Sequence, residues 1–443
     1  MRIVVLTPPF YSHFLPLIAP AAALRDSGAE VIVGCSRAFE ADVAERGLRF
    51  VEITINRNAN TGQAAATSQA ESEQRRLREF LEATRRGPIE TLRTQNRHRV
   101  ADMLANPNEL LDRTAELNAE LNPDLWIVDQ LSYGVTLALV AHGLRFVTFC
   151  PPHPLSIPPA DVVYSVPPRW PAAFTVSGGE CTLLENEART LEHDFTRRYN
   201  ELLAPYNRTV DSAFRLASPE LVIHNYPELP RKPELPPSRV YCGYSFVPPD
   251  HDASAWDEAD SVAPLPAPAT TAPHQQAPSR IIIALGTFLS ARSDTLIALA
   301  AALRRLYPEA IIAVGAGEHV APVRAAVGEP AIVEPFIAQQ KLLRKAELFV
   351  HHGGVSSFTE ALYYEVPMIV MPFSSDQFNV AADIERTGMG AVLDPNRITL
   401  RRVGAAADTA LTPETRAVLK HYSTQVRARG PAYAAAAVLR LLS

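Results

Sequence analysis

Short, mostly apolar runs recur along this chain, separated by helix-length segments, and that alternation restricts the fold more than any other feature. Ile3–Leu6, Val31–Val33, Phe50–Ile53, Trp126–Val128 and Phe146–Phe149 are bounded by turn or polar residues. Runs this short suit strands buried on both faces. Between them lie segments such as Leu15–Ser27, whose trailing Gly28 suits a helix C-terminus. Strand–helix–strand repetition predicts a parallel, doubly wound sheet. The pattern restarts abruptly at Ile281-Ile282-Ile283 and runs through Ile311–Val314, Ala331–Val333, Leu348–Val350 and Met368–Met371. It closes in an Ala/Leu-rich helix near Tyr433–Leu442. The fold class expected is therefore α/β, with two doubly wound domains facing each other across a cleft.

The 38 prolines are too many for an ordinary fold of 443 residues, and their position marks the boundary. Pro248, Pro249, Pro264, Pro266, Pro268, Pro273 and Pro278 stand among Ala, Asp, Ser and Thr. That composition cannot form a packed core and predicts a linker over 247–279. Residues 1–246 and 280–443 become the two domains, with the final helix free to cross back onto the first. A second proline cluster lies at 151–171. Residues 63–121 interrupt the α/β rhythm with a Gln-, Glu- and Arg-rich helical stretch, where Arg75, Arg76, Arg78, Arg85 and Arg86 read as a solvated face.

A net charge of −6 argues against a nucleic-acid partner, which needs a basic face. Cys35, Cys150, Cys181 and Cys242 stand far apart without zinc spacing, so no metal site is expected and a cytoplasmic location is. Pro8-Pro9 and Ser12-His13 break the apolar run a signal peptide needs. No stretch of about 20 apolar residues is present to span a membrane.

Chemistry concentrates in His351-His352-Gly353-Gly354-Val355-Ser356-Ser357-Phe358-Thr359-Glu360, directly after a predicted strand. Two glycines permit a tight turn and close backbone approach. Ser357 and Glu360 have capping-box spacing, which predicts a helix start there. A helix N-terminus with serines is either an anion site or simply a capped helix. Pro367–Pro372 predicts another strand, followed by Asp376-Gln377, a carboxylate and amide suited to a polyhydroxylated ligand or to a capped loop. Gly315-Ala316-Gly317 reads as a plain turn.

The block Phe336–Gly390 resembles the nucleotide-sugar signature of the family 1 glycosyltransferases of GT-B fold, most closely the bacterial macrolide and flavonoid glucosyltransferases. Phe336-Ile337-Ala338-Gln339 is similar to the aromatic-x-Pro-Gln element. His352-Gly353-Gly354, Ser356-Ser357 and Glu360 are similar to the phosphate and ribose element, and Pro367 with Asp376-Gln377 completes it. Gly286-Thr287 resembles the family's Gly-Ser/Thr turn. The resemblance implies that Phe336 packs on the base and that the backbone near Ile337 reads its edge. It implies that His352, Ser357 and the Gly354 turn hold the diphosphate, with Thr287 close by. Glu360 takes both ribose hydroxyls, and Asp376 and Gln377 take the sugar's. Ala338 replaces the usual proline, and Phe336 the tryptophan of plant relatives. Glu360 favours a UDP-sugar co-substrate, with a deoxythymidine diphosphate sugar as the alternative, and no other cofactor is implied.

In the N-terminal half, His13 sits in Ser12-His13-Phe14-Leu15-Pro16 between the first strand and first helix, and Asp129 ends the strand Trp126–Val128. His13 alone reads as structural. A carboxylate on one imidazole nitrogen, however, makes the other a general base for an acceptor hydroxyl. The family's Gly-His-x-x-Pro motif is matched with Ser12 in place of glycine, and Asp129 matches its Asp partner. The resemblance implies a single inverting displacement that needs no metal. Phe10, Tyr11, Phe14, Tyr133 and Trp170 are candidate contacts to an apolar small-molecule acceptor, or ordinary core aromatics. A nucleotide-sugar epimerase of the same fold, or a non-catalytic partner of another transferase, is the alternative class. A monomer or homodimer is expected.

Overall fold

The computed structural model describes residues 1–56, 71–230, 238–249, 256 and 277–443. Seven parallel strands form the first sheet: β1 (Arg2–Leu6), β2 (Glu30–Cys35), β3 (Arg49–Glu52), β4 (Leu125–Asp129), β5 (Phe146–Cys150), β6 (Val222–His224) and β7 (Arg239–Tyr241). Six parallel strands form the second: β8 (Arg280–Ala284), β9 (Ile311–Gly315), β10 (Ala331–Glu334), β11 (Leu348–His351), β12 (Met368–Val370) and β13 (Gly390–Val392). Their orders are β3-β2-β1-β4-β5-β6-β7 and β10-β9-β8-β11-β12-β13. Each sheet therefore reverses its winding at one place, between β1 and β4 and between β8 and β11. A crevice opens beyond the carboxyl ends at such a reversal.

The apolar runs form these strands because both of their faces are covered. In β8, Ile281 and Ile283 pack into one core and Ile282 and Ala284 into the core on the opposite face. In β1, Ile3 and Val5 do the same against Val4 and Leu6. The final helix, Pro431–Leu442, packs Ala434, Ala435 and Val438 into the N-terminal core beside the helix Tyr11–Asp26. That helix carries Pro16 and Pro20 in its interior. Pro20 has no N–H to give the Pro16 carbonyl. The Ser245 hydroxyl donates to that carbonyl instead, at 2.5 Å.

Most of the expected linker, 247–279, lies outside the described residues. One position within it departs from the expectation of a coreless segment: Trp256 is fully buried in the C-terminal core, and its Nε1 donates to the Leu342 carbonyl at 2.9 Å. Trp256 is thus one large aromatic that the average composition of the segment conceals. In the Arg-rich insertion, Arg75, Arg78, Arg85 and Arg86 are exposed, whereas Arg76 pairs with Asp102 at 2.6 Å. The insertion also reaches the other domain. Arg292 donates to Thr84 Oγ1 at 3.0 Å, and Asn396 Nδ2 to the Thr84 carbonyl at 2.8 Å. Among the described residues no helix is long and apolar enough to cross a membrane.

Candidate active site

His13 and Asp129 meet at the reversal of the first sheet, where Leu6 of β1 pairs with Val128 of β4. His13 Nδ1 lies 2.9 Å from Asp129 Oδ2 and 3.1 Å from Oδ1. Asp129 is wholly enclosed, and its Oδ1 also accepts from the Leu131 N–H at 2.8 Å. With Nδ1 committed to a fixed carboxylate, Nε2 is the nitrogen able to take a proton.

The second sheet repeats this geometry. At its reversal, Ala284 of β8 pairs with His351 of β11, and the turns that follow carry Gly286 and His352. The His352 ring is held between two glycines. A Cβ on Gly354 would lie 2.5 Å from its Nε2, and one on Gly286, where φ is +77°, 3.0 Å from its Cε1. Gly353 has φ +88°, which favours glycine. His351 braces the turn rather than facing a ligand: it is buried, and its Nδ1 accepts from the Gly353 N–H at 3.1 Å.

The helix that follows runs Val355–Tyr363, with Gly354 as its N-cap and no side chain capping it. This corrects the expected capping box. Ser357 and Glu360 sit inside the helix, so the first-turn N–H groups at Val355, Ser356 and Ser357 are left for an anion. Burial pushes the pKa of His352 down to about 4, against the opposing pull of the Ala284 backbone and the Asp376 carboxylate. Burial, aided by His352, also carries His351 well below 6.5.

Both imidazoles are then neutral when folded but take up protons near pH 6.5 when unfolded. The stability they contribute is complete above that pH and declines as pH falls toward about 4. His352→Gln is expected to flatten the decline between pH 6 and 5 by up to one proton, about 1.4 kcal/mol per pH unit. Urea unfolding at each pH measures this, and identical slopes would refute it.

Ser357 and Glu360 belong to a buried polar network with Gln339 and Gln340. Gln339 Nε2 donates to Glu360 Oε2 at 2.6 Å and reaches Ser357 Oγ at 3.3 Å, and Gln340 Nε2 donates to Glu360 Oε1 at 2.9 Å. Both carboxylate oxygens thus already hold an amide, and burial raises the acid's pKa. Gln340 escaped the sequence reading, although the Gln339-Gln340 pair was its signal. Phe336 is 62% exposed, the most open phenylalanine among the described residues, and available for stacking. Ile337 packs 3.5 Å from the Cβ direction of Gly315, so the 315–317 turn abuts this element. The side chain of Thr287 lies outside the described residues; its backbone is in the short helix Gly286–Leu289 beside His352.

Gln377 Oε1 accepts from the Phe373 and Ser374 N–H groups at 2.9 and 3.1 Å, so its carbonyl shapes its own loop. Asp376 Oδ2 accepts from the His153 N–H at 2.8 Å. His153 follows β5 in the N-terminal domain, so this bond brings the carboxyl edges of the two sheets face to face.

The aromatics proposed for the acceptor separate. Phe10 lies edge-on to His13, with ring centroids 6.2 Å apart, and stays partly open. Phe14 and Tyr133 are corrected to core residues. Phe14 packs on Phe39, and Tyr133 is enclosed by Phe195 and Phe214 with its OH accepting from Gln130. The Tyr11 hydroxyl is tied to Asp42 at 3.0 Å, and Trp170 stacks toward Phe378 of the other domain. For Phe14 and Tyr133 the apolar ring surface is covered by neighbouring rings.

Two facing doubly wound domains with these opposed turns define the class as GT-B. Solved structures of that fold agree over the whole chain. The glycotransferase of kitacinnamycin superposes with a TM-score of 0.70 at 19% identity, covering 100% of this chain and 99% of that one. Spinosyn rhamnosyltransferase SpnG complexed with thymidine diphosphate gives 0.60 at 18% identity, covering all of both chains. More particularly, residues 266–417 match the family described as UDP-glucoronosyl and UDP-glucosyl transferase. The uncharacterized UDP-glucosyltransferase YojK of Bacillus subtilis is 41% identical over 73 residues, 16% of this chain and 18% of its own. Demethyllactenocin mycarosyltransferase of Streptomyces fradiae is 28% identical over 165 residues, 37% of this chain and 36% of its own. The chain thus matches well under two thirds of the length of these relatives.

Proposed function

We propose that the protein transfers a hexose, glucose foremost, from a UDP-sugar to a hydroxyl of an apolar small-molecule natural product, with inversion and without a metal. The observation that carries this reading is the His13–Asp129 pair at 2.9 Å, set at the reversal of one sheet opposite the His352 turn at the reversal of the other. His13 Nε2 removes the acceptor proton as the oxygen attacks the anomeric carbon. The bond to the diphosphate breaks on the opposite side of that carbon. The departing charge is met by His352 and by the uncapped N–H groups of the helix Val355–Tyr363. Among the described residues no group of three or more His, Cys, Asp and Glu side chains is gathered to hold a metal ion. Relatives named for UDP-glucosyl transfer and for demethyllactenocin mycarosyl transfer support the same class of reaction.

A thermal-shift screen of nucleotide sugars tests the donor, because ligand binding raises stability by mass action. UDP-glucose is expected to raise the melting temperature more than its deoxythymidine counterpart. UDP release is expected to accelerate only when a hydroxylated apolar acceptor is added. Release that ignores the acceptor, or no shift with any nucleotide sugar, would sink the proposal.

A further inference from the structure

One turn of the C-terminal domain is held from across the cleft. Ser375 has φ +58°, in the left-handed region that a side chain disfavours. Its N–H donates to Gln95 Oε1 at 2.9 Å, and its Oγ accepts from Arg99 Nη2 at 2.7 Å. Gln95 and Arg99 are four residues apart on the helix Pro88–Met103 of the N-terminal domain, so one helix face supplies both bonds. The next residue, Asp376, is held by the His153 N–H, and the His153 ring is pinned in turn to Asp383 of the helix Gln377–Thr387 at 3.1 Å. On the C-terminal side, Gln377 secures residues 373 and 374. The hydrogen bonds of Ser375 to Gln95 and Arg99 instead come from the opposite domain.

We infer that Gln95 and Arg99 are positioning residues for the donor's sugar. By holding Ser375 in its left-handed conformation they set Asp376 and Gln377 against the hexose, an inference that rests on the donor reading above. Released from those bonds, a serine relaxes toward negative φ, and that rotation pulls the Asp376 carboxylate against its one bond to the His153 N–H. The diphosphate elements, His352 and the helix after Gly354, belong wholly to the C-terminal domain and are untouched by either residue. Sugar recognition therefore depends on the N-terminal domain being docked, whereas nucleotide recognition does not.

Calorimetric titration with UDP and with UDP-glucose separates the two. The proteins compared are the unmodified chain, Arg99→Ala, the double variant Gln95→Ala/Arg99→Ala, and that double variant with Ser375→Gly added. The Kd for UDP-glucose is expected to weaken about tenfold in the double variant while the Kd for UDP stays within about twofold. Ser375→Gly should recover most of the loss, since glycine adopts positive φ without penalty. UDP binding in the same sample reports that each variant is folded. Parallel weakening of both ligands, no change in either, or a loss that glycine does not recover each overturns the positioning role while leaving the donor reading intact. Failure of the unmodified chain to bind either ligand overturns the donor reading and this inference with it.

Discussion

Replacing His13 with alanine is expected to lower transfer to a hydroxyl acceptor by about 10²–10⁴-fold, the usual worth of a positioned general base. Nε2 is the nitrogen positioned to take the acceptor's proton, because Nδ1 is occupied by a carboxylate that is itself enclosed and fixed by the Leu131 N–H. UDP affinity should be unchanged, since His13 belongs to the opposite sheet from the diphosphate turn. Asp129→Asn is the companion test. An amide can turn its NH2 toward Nδ1, which forces the proton to Nε2 and leaves no base there. It should cost nearly as much as His13→Ala without disturbing the packing. Steady-state kinetics with UDP-glucose and a phenolic or macrolide acceptor measure both, and near-normal kcat in either variant would remove the dyad from the mechanism.

The second large effect is expected from a single methyl group. Gly354 has φ −64°, which alanine adopts freely, so Gly354→Ala introduces no backbone strain. Its Cβ would nevertheless lie 2.5 Å from His352 Nε2 and 2.9 Å from Cε1, closer than such atoms approach. A Cβ on Gly286 would likewise fall 3.0 Å from Cε1, so glycine at both positions keeps this edge of the ring clear. His352 must therefore shift from the position in which the proposed mechanism sets it against the departing diphosphate. A loss of one such contact to developing charge is worth about 10²–10³ in kcat. Gly354→Ala should show that loss with an almost unaltered melting temperature, while Gly353→Ala, at φ +88°, should lower stability as well. Full activity in Gly354→Ala would mean that the ring's position does not matter to the leaving group.

Much of this was legible in the chain. Ile3–Leu6 and Ile281–Ile283 could only be strands covered on both sides, and each starts the sheet that the others join. The His13–Asp129 pair and the glycine turn were legible because Asp129 ends a strand, His13 opens the first helix and His352 follows a strand directly. The three-residue strands β6, β7 and β13 were missed, being too short to show a period. The capping box was misplaced because the spacing of Ser357 and Glu360 suits a helix cap and a pocket wall equally well. The backbone at Gly354 enters the helix earlier and frees both for the pocket. Phe14 and Tyr133 carried nothing in their neighbourhood to separate a core ring from a cleft ring.

By itself the sequence determined the two parallel sheets and the glycine turn after Leu348–Val350, because those depend on hydrophobic spacing and backbone freedom over a few neighbouring positions. Only the tertiary structure decided that Ser375 is held by Gln95 and Arg99, and Asp376 by His153, across separations of 280, 276 and 223 residues. No local propensity encodes such partners. They exist because docking two domains along their carboxyl edges leaves a strained serine of one domain within hydrogen-bonding reach of a single helix face of the other.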